Sequence, residues 1–107
     1  MSDDGLLSVT IEHVDGDAKA LLRVEGDVDV VSAGDLGKAL EHVIANGATD
    51  VRLDLAGVPF LDSTGLTVLL TARTQLEDRG TVVVEAASHA VQRTFEVAGL
   101  DGVFGPA

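Results

Sequence analysis

The sequence predicts a two-layer α/β sandwich, in which a mixed four-stranded sheet with three parallel strands is covered mainly on one face by helices. Three observations carry this reading. Stretches of apolar/polar alternation recur along the chain, and segments of helical spacing separate the second from the third and the third from the fourth. The first two stretches are divided only by a turn signal and form an antiparallel hairpin, whereas strands joined through a helix run parallel by right-handed crossovers. Alternation, in place of the continuous apolar run of a strand covered on both sides, leaves one sheet face to solvent.

In strand one, Leu7, Val9, Ile11 and His13 alternate with Ser8, Thr10 and Glu12, which puts His13 on the inward face. Asp15-Gly16-Asp17 makes the turn, and in strand two Ala20, Leu22 and Val24 alternate with Lys19, Arg23 and Glu25, with Leu21 as the exception. The strand ends near Gly26. Ser32 followed by Asp35 reads as a capping-box-like helix start; Leu36, Ala39, Leu40, Val43 and Ile44 form one apolar stripe, and Gly47 supplies the stop. Strand three follows in Val51, Leu53 and Leu55, and Pro59 cannot extend its ladder. The next helix carries Leu66, Leu69, Leu70, Arg73 and Leu76 and closes at Gly80. Val82, Val84 and Ala86 make strand four. Ser88 caps a third helix with Val91, Phe95 and Ala98 on one face, Gly99 stops it, and Val103-Phe104 forms a short strand or a tail tucked against the core.

Composition narrows the function classes. A chain of 107 residues is one domain, residues 1–107, that buries somewhat over roughly 60% of its unfolded surface. The core is Val, Leu, Ile and Ala, because there are only three Phe and no Trp or Tyr, and stacking on nucleobases is disfavoured for the same reason. Without cysteine there is no disulfide, thiolate metal site or cysteine nucleophile. Seven basic against eighteen acidic residues give a formal charge of −11, which repels nucleic acid and anionic membranes alike. The start, Met1-Ser2-Asp3-Asp4-Gly5, is acidic, and the uncharged run at residues 63–72 is far too short to span a bilayer. These features predict a soluble, cytoplasmic protein.

Phe60-Leu61-Asp62-Ser63-Thr64-Gly65-Leu66 joins strand three to the second helix and puts two hydroxyls at the junction. A helix start presents unpaired N–H groups and a partial positive charge, so Ser63 is well placed to carry a phosphate, while Asp62 or Ser63 serves equally as a cap. Gly65, in the first turn, admits either a partner's close approach or close packing of the helix on the sheet. Loops at the carboxyl ends of parallel strands gather at one edge, so Asp27, Asp29, Asp62, Ser63, Ser88 and His89 are expected together. Enzymatic patterns are missing from that edge: there is no G-x-S-x-G elbow, no G-x-x-x-x-G-K-S/T loop and no G-x-G-x-x-G. His13, His42 and His89 are isolated, and a Ser63-His89-Asp29 triad has no pocket-forming insertion to work in. Asp27, Asp29 and Asp62 offer ligands for a Mg²⁺, but such loop carboxylates more often cap, turn or tune the hydroxyl beside them.

Asp62-Ser63-Thr64-Gly65-Leu66 resembles the D-S-S/T-G-L motif of the STAS-domain anti-sigma factor antagonists, also called anti-anti-sigma factors. Gly26-Asp27-Val28-Asp29 is similar to that family's G-E-L/V/I-D element, Asp54-Leu55-Ala56-Gly57-Val58 to its D-L-S/A-x-V/L, and Phe95-Glu96-Val97-Ala98-Gly99-Leu100 to its F-x-x-x-G-L. The four elements keep the family's order over nearly the whole chain. The resemblance implies a STAS-like fold, no enzymatic activity and no cofactor or metal. It implies partner switching: the unphosphorylated protein binds an anti-sigma factor that is also a serine kinase of the GHKL type and so releases a sigma factor. Phosphorylation at Ser63 reverses this, and a PP2C-type phosphatase resets it. By position, Ser63 is then the phosphoacceptor and Asp27, Asp29, Asp62, Thr64 and Gly65 meet the partner. Asp27 stands where glutamate is more frequent, and the chain stops at Ala107, short of the final helix many members carry. The same fold also implies two other uses, an accessory subunit of a membrane ABC transporter and a small-ligand-binding module.

Overall fold

In the structure, a computed structural model, residues 7–14 and 16–105 are described. The acidic start, Asp15 of the turn signal and the last two positions, Pro106 and Ala107, lie outside them. The elements run β1 (Ser8–Val14), β2 (Lys19–Glu25), α1 (Ala33–Ala45), β3 (Asp50–Gly57), α2 (Ser63–Leu76), a 3₁₀ turn (Glu77–Arg79), β4 (Thr81–Ala87) and α3 (His89–Val97). The sheet order is β1-β2-β3-β4, antiparallel between β1 and β2 and parallel thereafter.

Alternation sorts the sheet faces as the sequence predicts. Ala20, Leu22, Val24, Val51, Leu53, Leu55, Val82 and Val84 are buried with Leu36, Leu40 and Val43 of α1 and Leu66, Leu69 and Leu76 of α2 in one core. On the opposite face Arg23 pairs with Asp54 at 3.4 Å, and Arg52 with Asp50 at 2.8 Å and Glu85 at 3.1 Å. Such solvated pairs keep that face wet and add little stability, about 0–1 kcal/mol each. Leu21, out of pattern in β2, is half-buried there opposite Glu12.

Two of the three predicted glycine stops are left-handed, Gly47 at φ 104° and Gly99 at φ 74°, and each is followed by a backbone bond back to the helix, Ala48 N–H to Val43 and Leu100 N–H to Phe95. The tail after Gly99 tucks in as a turn, not a strand. Phe104 is buried with its ring centroid 5.7 Å from that of Phe95, and its carbonyl accepts the Val84 N–H at 2.9 Å.

Four local expectations are corrected. His13 is exposed, at the exposed end of the edge strand β1, and its Nδ1 lies 3.7 Å from Asp17. Ala98 is the exposed C-cap of α3 and not part of its buried stripe. The second helix ends at Leu76, where Glu77 takes φ 36°; Gly80 is extended and is required because a Cβ there would collide with the Thr49 carbonyl. Ser32 makes no side-chain cap for α1. Asp29 instead braces the turn that leads into the helix: its Oδ1 accepts from the N–H groups of Val31 and Ser32, and its carbonyl accepts the Ala33 N–H.

Candidate functional site

The three loops that leave β2, β3 and β4 are fastened to one another by hydrogen bonds. Val28 donates its N–H to the Phe60 carbonyl at 2.8 Å and accepts from the Asp62 N–H at 3.1 Å, a parallel bridge between Val28 and Leu61 that extends the sheet past the ends of β2 and β3. Ser88 joins the third loop: its N–H donates to Leu55, its Oγ donates to the Val58 carbonyl at 2.6 Å and accepts from the Val91 N–H of α3. Topology alone thus predicts the gathering at this edge, and hydrogen bonds tie the loops together there.

Within the first loop, Ser32 is buried at 2% exposure. Its Oγ donates to the Asp27 carbonyl at 2.7 Å, accepts the Asp29 N–H at 3.1 Å and lies 3.2 Å from Asp29 Oδ1. The Ser32 backbone N–H, above all, holds the Asp29 carboxyl below its ordinary range, with the Val31 N–H and the Ser32 hydroxyl acting in the same sense and desolvation opposing. Asp29 is therefore a half-buried loop brace facing the edge, and Asp27 is exposed beside it.

In the second loop the cap of α2 is Asp62. Its Oδ1 accepts from the N–H groups of Thr64 at 2.9 Å and Gly65 at 3.2 Å. Ser63 is the first helical residue, exposed, with no hydrogen bond to its Oγ among the described residues. The anion position that the helix start offers is thus filled by the chain's own carboxylate, and Ser63 is left as a free hydroxyl beside it. Thr64 is half-buried. Gly65 is buried, and a Cβ on it would stand 2.7 Å from Leu61 Cδ1 and 2.8 Å from Val28 Cγ1. Of its two expected uses, close packing onto the bridged loops is the one the structure displays.

Asp29, His89 and Ser63 share no hydrogen bond among the described residues; each Asp29 contact runs within its own loop. No group of three or more potential metal ligands is found among the described residues. Sequence reading missed the apolar side chains exposed around this edge, Val30 at 76%, Val31 at 71%, Phe60 at 50% and Val97 at 83%. The Val30-Val31 pair, set in a loop beyond the end of an alternating strand, was the available signal for two of them. It also missed Arg93, which with Ser63, Leu66, Thr94, Val97 and Ala98 lines a shallow groove of about 400 Å³ between α2 and α3.

Residues 13–105 match the family model described as "Mlab, STAS domain". The chain belongs to the STAS domain family. It is 30% identical to the anti-sigma-F factor antagonist RsfB of Mycobacterium tuberculosis over 97 residues, 91% of this chain and 80% of that one. It is 32% identical to the anti-sigma-B factor antagonist of Listeria monocytogenes over 99 residues, 91% of this chain and 87% of the relative. Among solved structures, an anti-sigma factor antagonist from Mycobacterium paratuberculosis superposes with a TM-score of 0.84 at 28% identity, covering 100% of this chain and 92% of its own. No helix of this STAS domain, among the described residues, is long and apolar enough to cross a membrane.

Proposed function

We propose that this STAS domain is a cytoplasmic, non-enzymatic anti-sigma factor antagonist, switched by phosphorylation of Ser63. Unphosphorylated, it binds an anti-sigma factor that is a serine kinase of the GHKL type, and a sigma factor is released. In the kinase complex the Ser63 oxygen displaces ADP from the γ-phosphorus of ATP and gives its proton to a base of the kinase; a PP2C-type phosphatase later hydrolyses the ester.

The observation that carries the reading is Ser63 itself, an exposed hydroxyl with no hydrogen-bond partner among the described residues, at an edge whose hydrogen-bonded loops also carry exposed Phe60, Val30 and Val31. Large apolar side chains exposed at one edge of a small domain support its use as an interaction surface. The relatives named as anti-sigma factor antagonists support the choice of partner. In this reading Asp27, Asp29 and Thr64 contribute polar contacts at the rim, while Asp62 and Gly65 fix the position of Ser63.

The test is intact mass and peptide mapping of the chain expressed in its native host, with and without its kinase. One phosphoryl group on Ser63, absent from Ser63→Ala, is the expected result. A chain that binds its partner yet stays unmodified in the presence of active kinase overturns the switch and leaves a purely structural role.

A further inference from the structure

The groove between α2 and α3 sets a neutral hydroxyl against a cation. Ser63 stands on one wall and Arg93 on the other, with Leu66, Val97 and Ala98 supplying apolar surface between them. Arg93 has no hydrogen bond and no ion pair among the described residues, unlike Arg23 and Arg52, which hold carboxylates, and Arg79, which donates to the Gln75 carbonyl. Among the described residues it is the only cation lining the groove, in a chain with just seven basic residues and a formal charge of −11. Two helix-start amides that would otherwise take an anion near Ser63, those of Thr64 and Gly65, are already engaged by the Asp62 carboxylate.

We propose that Arg93 receives the phosphate carried by Ser63, so that phosphorylation closes the groove between α2 and α3 within the domain itself. The proposal rests on Ser63 being the phosphoacceptor and adds a destination for the phosphate. A phosphoserine at this position carries about −1.5 to −2 charge and three acceptor oxygens, next to the Asp62 carboxylate that repels it. The guanidinium fork matches two phosphate oxygens at once, which a lysine cannot do. Its swing toward Ser63 lays the arginine stem and the phosphate over Leu66 and Val97. The modified state then differs from the unmodified one in two ways: a partner meets added charge, and the apolar groove it would fill is occupied.

The experiment uses the full chain with phosphoserine installed at position 63 by genetic encoding, so no kinase is needed. Phosphorus NMR follows the phosphate's second ionisation in wild type and in Arg93→Gln. A nearby cation favours the dianion and the adjacent Asp62 carboxylate opposes it in both proteins, so the wild-type midpoint is expected about half a unit or more below that of Arg93→Gln. Melting of the unphosphorylated Arg93→Gln chain is expected to match wild type, because Arg93 holds nothing in that state. Superimposable titrations of the two phosphorylated proteins overturn the proposal. Failure of Ser63 to be modified in the native host, by contrast, overturns the phosphoacceptor reading and leaves the titration result standing as chemistry.

Discussion

The Ser32 hydroxyl and the Asp29 carboxylate lie 3.2 Å apart and together close the loop between β2 and α1, Ser32 from inside the core and Asp29 from its rim. Ser32→Ala removes a buried donor from the Asp27 carbonyl and a buried acceptor from the Asp29 N–H. Leaving such groups unpaired costs about 1–3 kcal/mol, and urea denaturation is expected to show a loss in that range with an unchanged slope. A loss below about 0.5 kcal/mol would mean that water replaces the hydroxyl and that the brace is not structural.

Acid should loosen the same loop. The Asp29 carboxyl is held below its ordinary 3.8, foremost by the Ser32 N–H. A carboxyl depressed by folding contributes stability that is complete above its unfolded pKa and is lost as pH falls through the folded one. Asp29→Asn keeps an acceptor but cannot titrate. The melting-temperature gap between wild type and Asp29→Asn is therefore expected to be constant near neutral pH and to narrow once the pH drops below 3.8. A gap that stays the same throughout the acid range would assign the loop's order to Ser32 alone.

These two residues also mark where sequence reasoning stops. The strands and their partnership were legible because Ala20-Leu22-Val24 and Val51-Leu53-Leu55 alternate cleanly, and the helix stops because Gly47 and Gly99 each follow an apolar stripe. The start of α1 falls where Ser32 predicts it, but without the side-chain cap bond. Residue type alone does not say that the Ser32 hydroxyl turns back to the Asp27 carbonyl instead of meeting the helix amides. Glu77 at φ 36° carries no residue signature for a left-handed break, so the end of α2 was placed too late. At the site, Asp62, Ser63 and Gly65 were found from local pattern, but Arg93 was not, since its place opposite Ser63 depends on how α3 docks.

Gly65→Ala tests the packing role of that glycine. Alanine gains up to about 1 kcal/mol in helix propensity over glycine. Against this, its Cβ meets Leu61 and Val28 below 3.0 Å, and both are buried against the core. Overpacking of this kind costs about 1–3 kcal/mol, so a net loss of roughly 1–2 kcal/mol is expected, with α2 pushed outward and its amide signals shifted in NMR. A stabilised variant would show that Leu61 yields freely and that the close approach of α2 is not needed.

The exposed rim is separable from the fold. Val30→Ser with Val31→Ser removes two side chains that are 76% and 71% exposed. Surface changes of this sort alter stability by no more than about 0.5 kcal/mol. Affinity for the anti-sigma kinase, measured by calorimetry, is expected to fall at least tenfold, about 1.4 kcal/mol. Unchanged affinity would move the interface away from the loop between β2 and α1.

Ser63→Asp separates charge from shape. At an unoccupied helix start an added carboxylate gains roughly 0.3–1 kcal/mol from the helix dipole. Here the Thr64 and Gly65 amides already serve Asp62, so the gain is offset by repulsion between adjacent carboxylates. Melting of the isolated domain is therefore expected to stay within a few degrees of wild type, since about 1 kcal/mol corresponds to roughly 4–8 °C in a domain near this size. Binding has no such compensation. An interface formed around a neutral hydroxyl must desolvate the new charge or face a like one, and a cost of about 1.4 kcal/mol is already tenfold in affinity. Ser63→Ala, which preserves shape and charge, is expected to bind the kinase as wild type does and to remain unmodified. Wild-type affinity for Ser63→Asp at wild-type melting would remove electrostatics from the switch, and the groove-closing role of Arg93 would then have to account for release without help from charge.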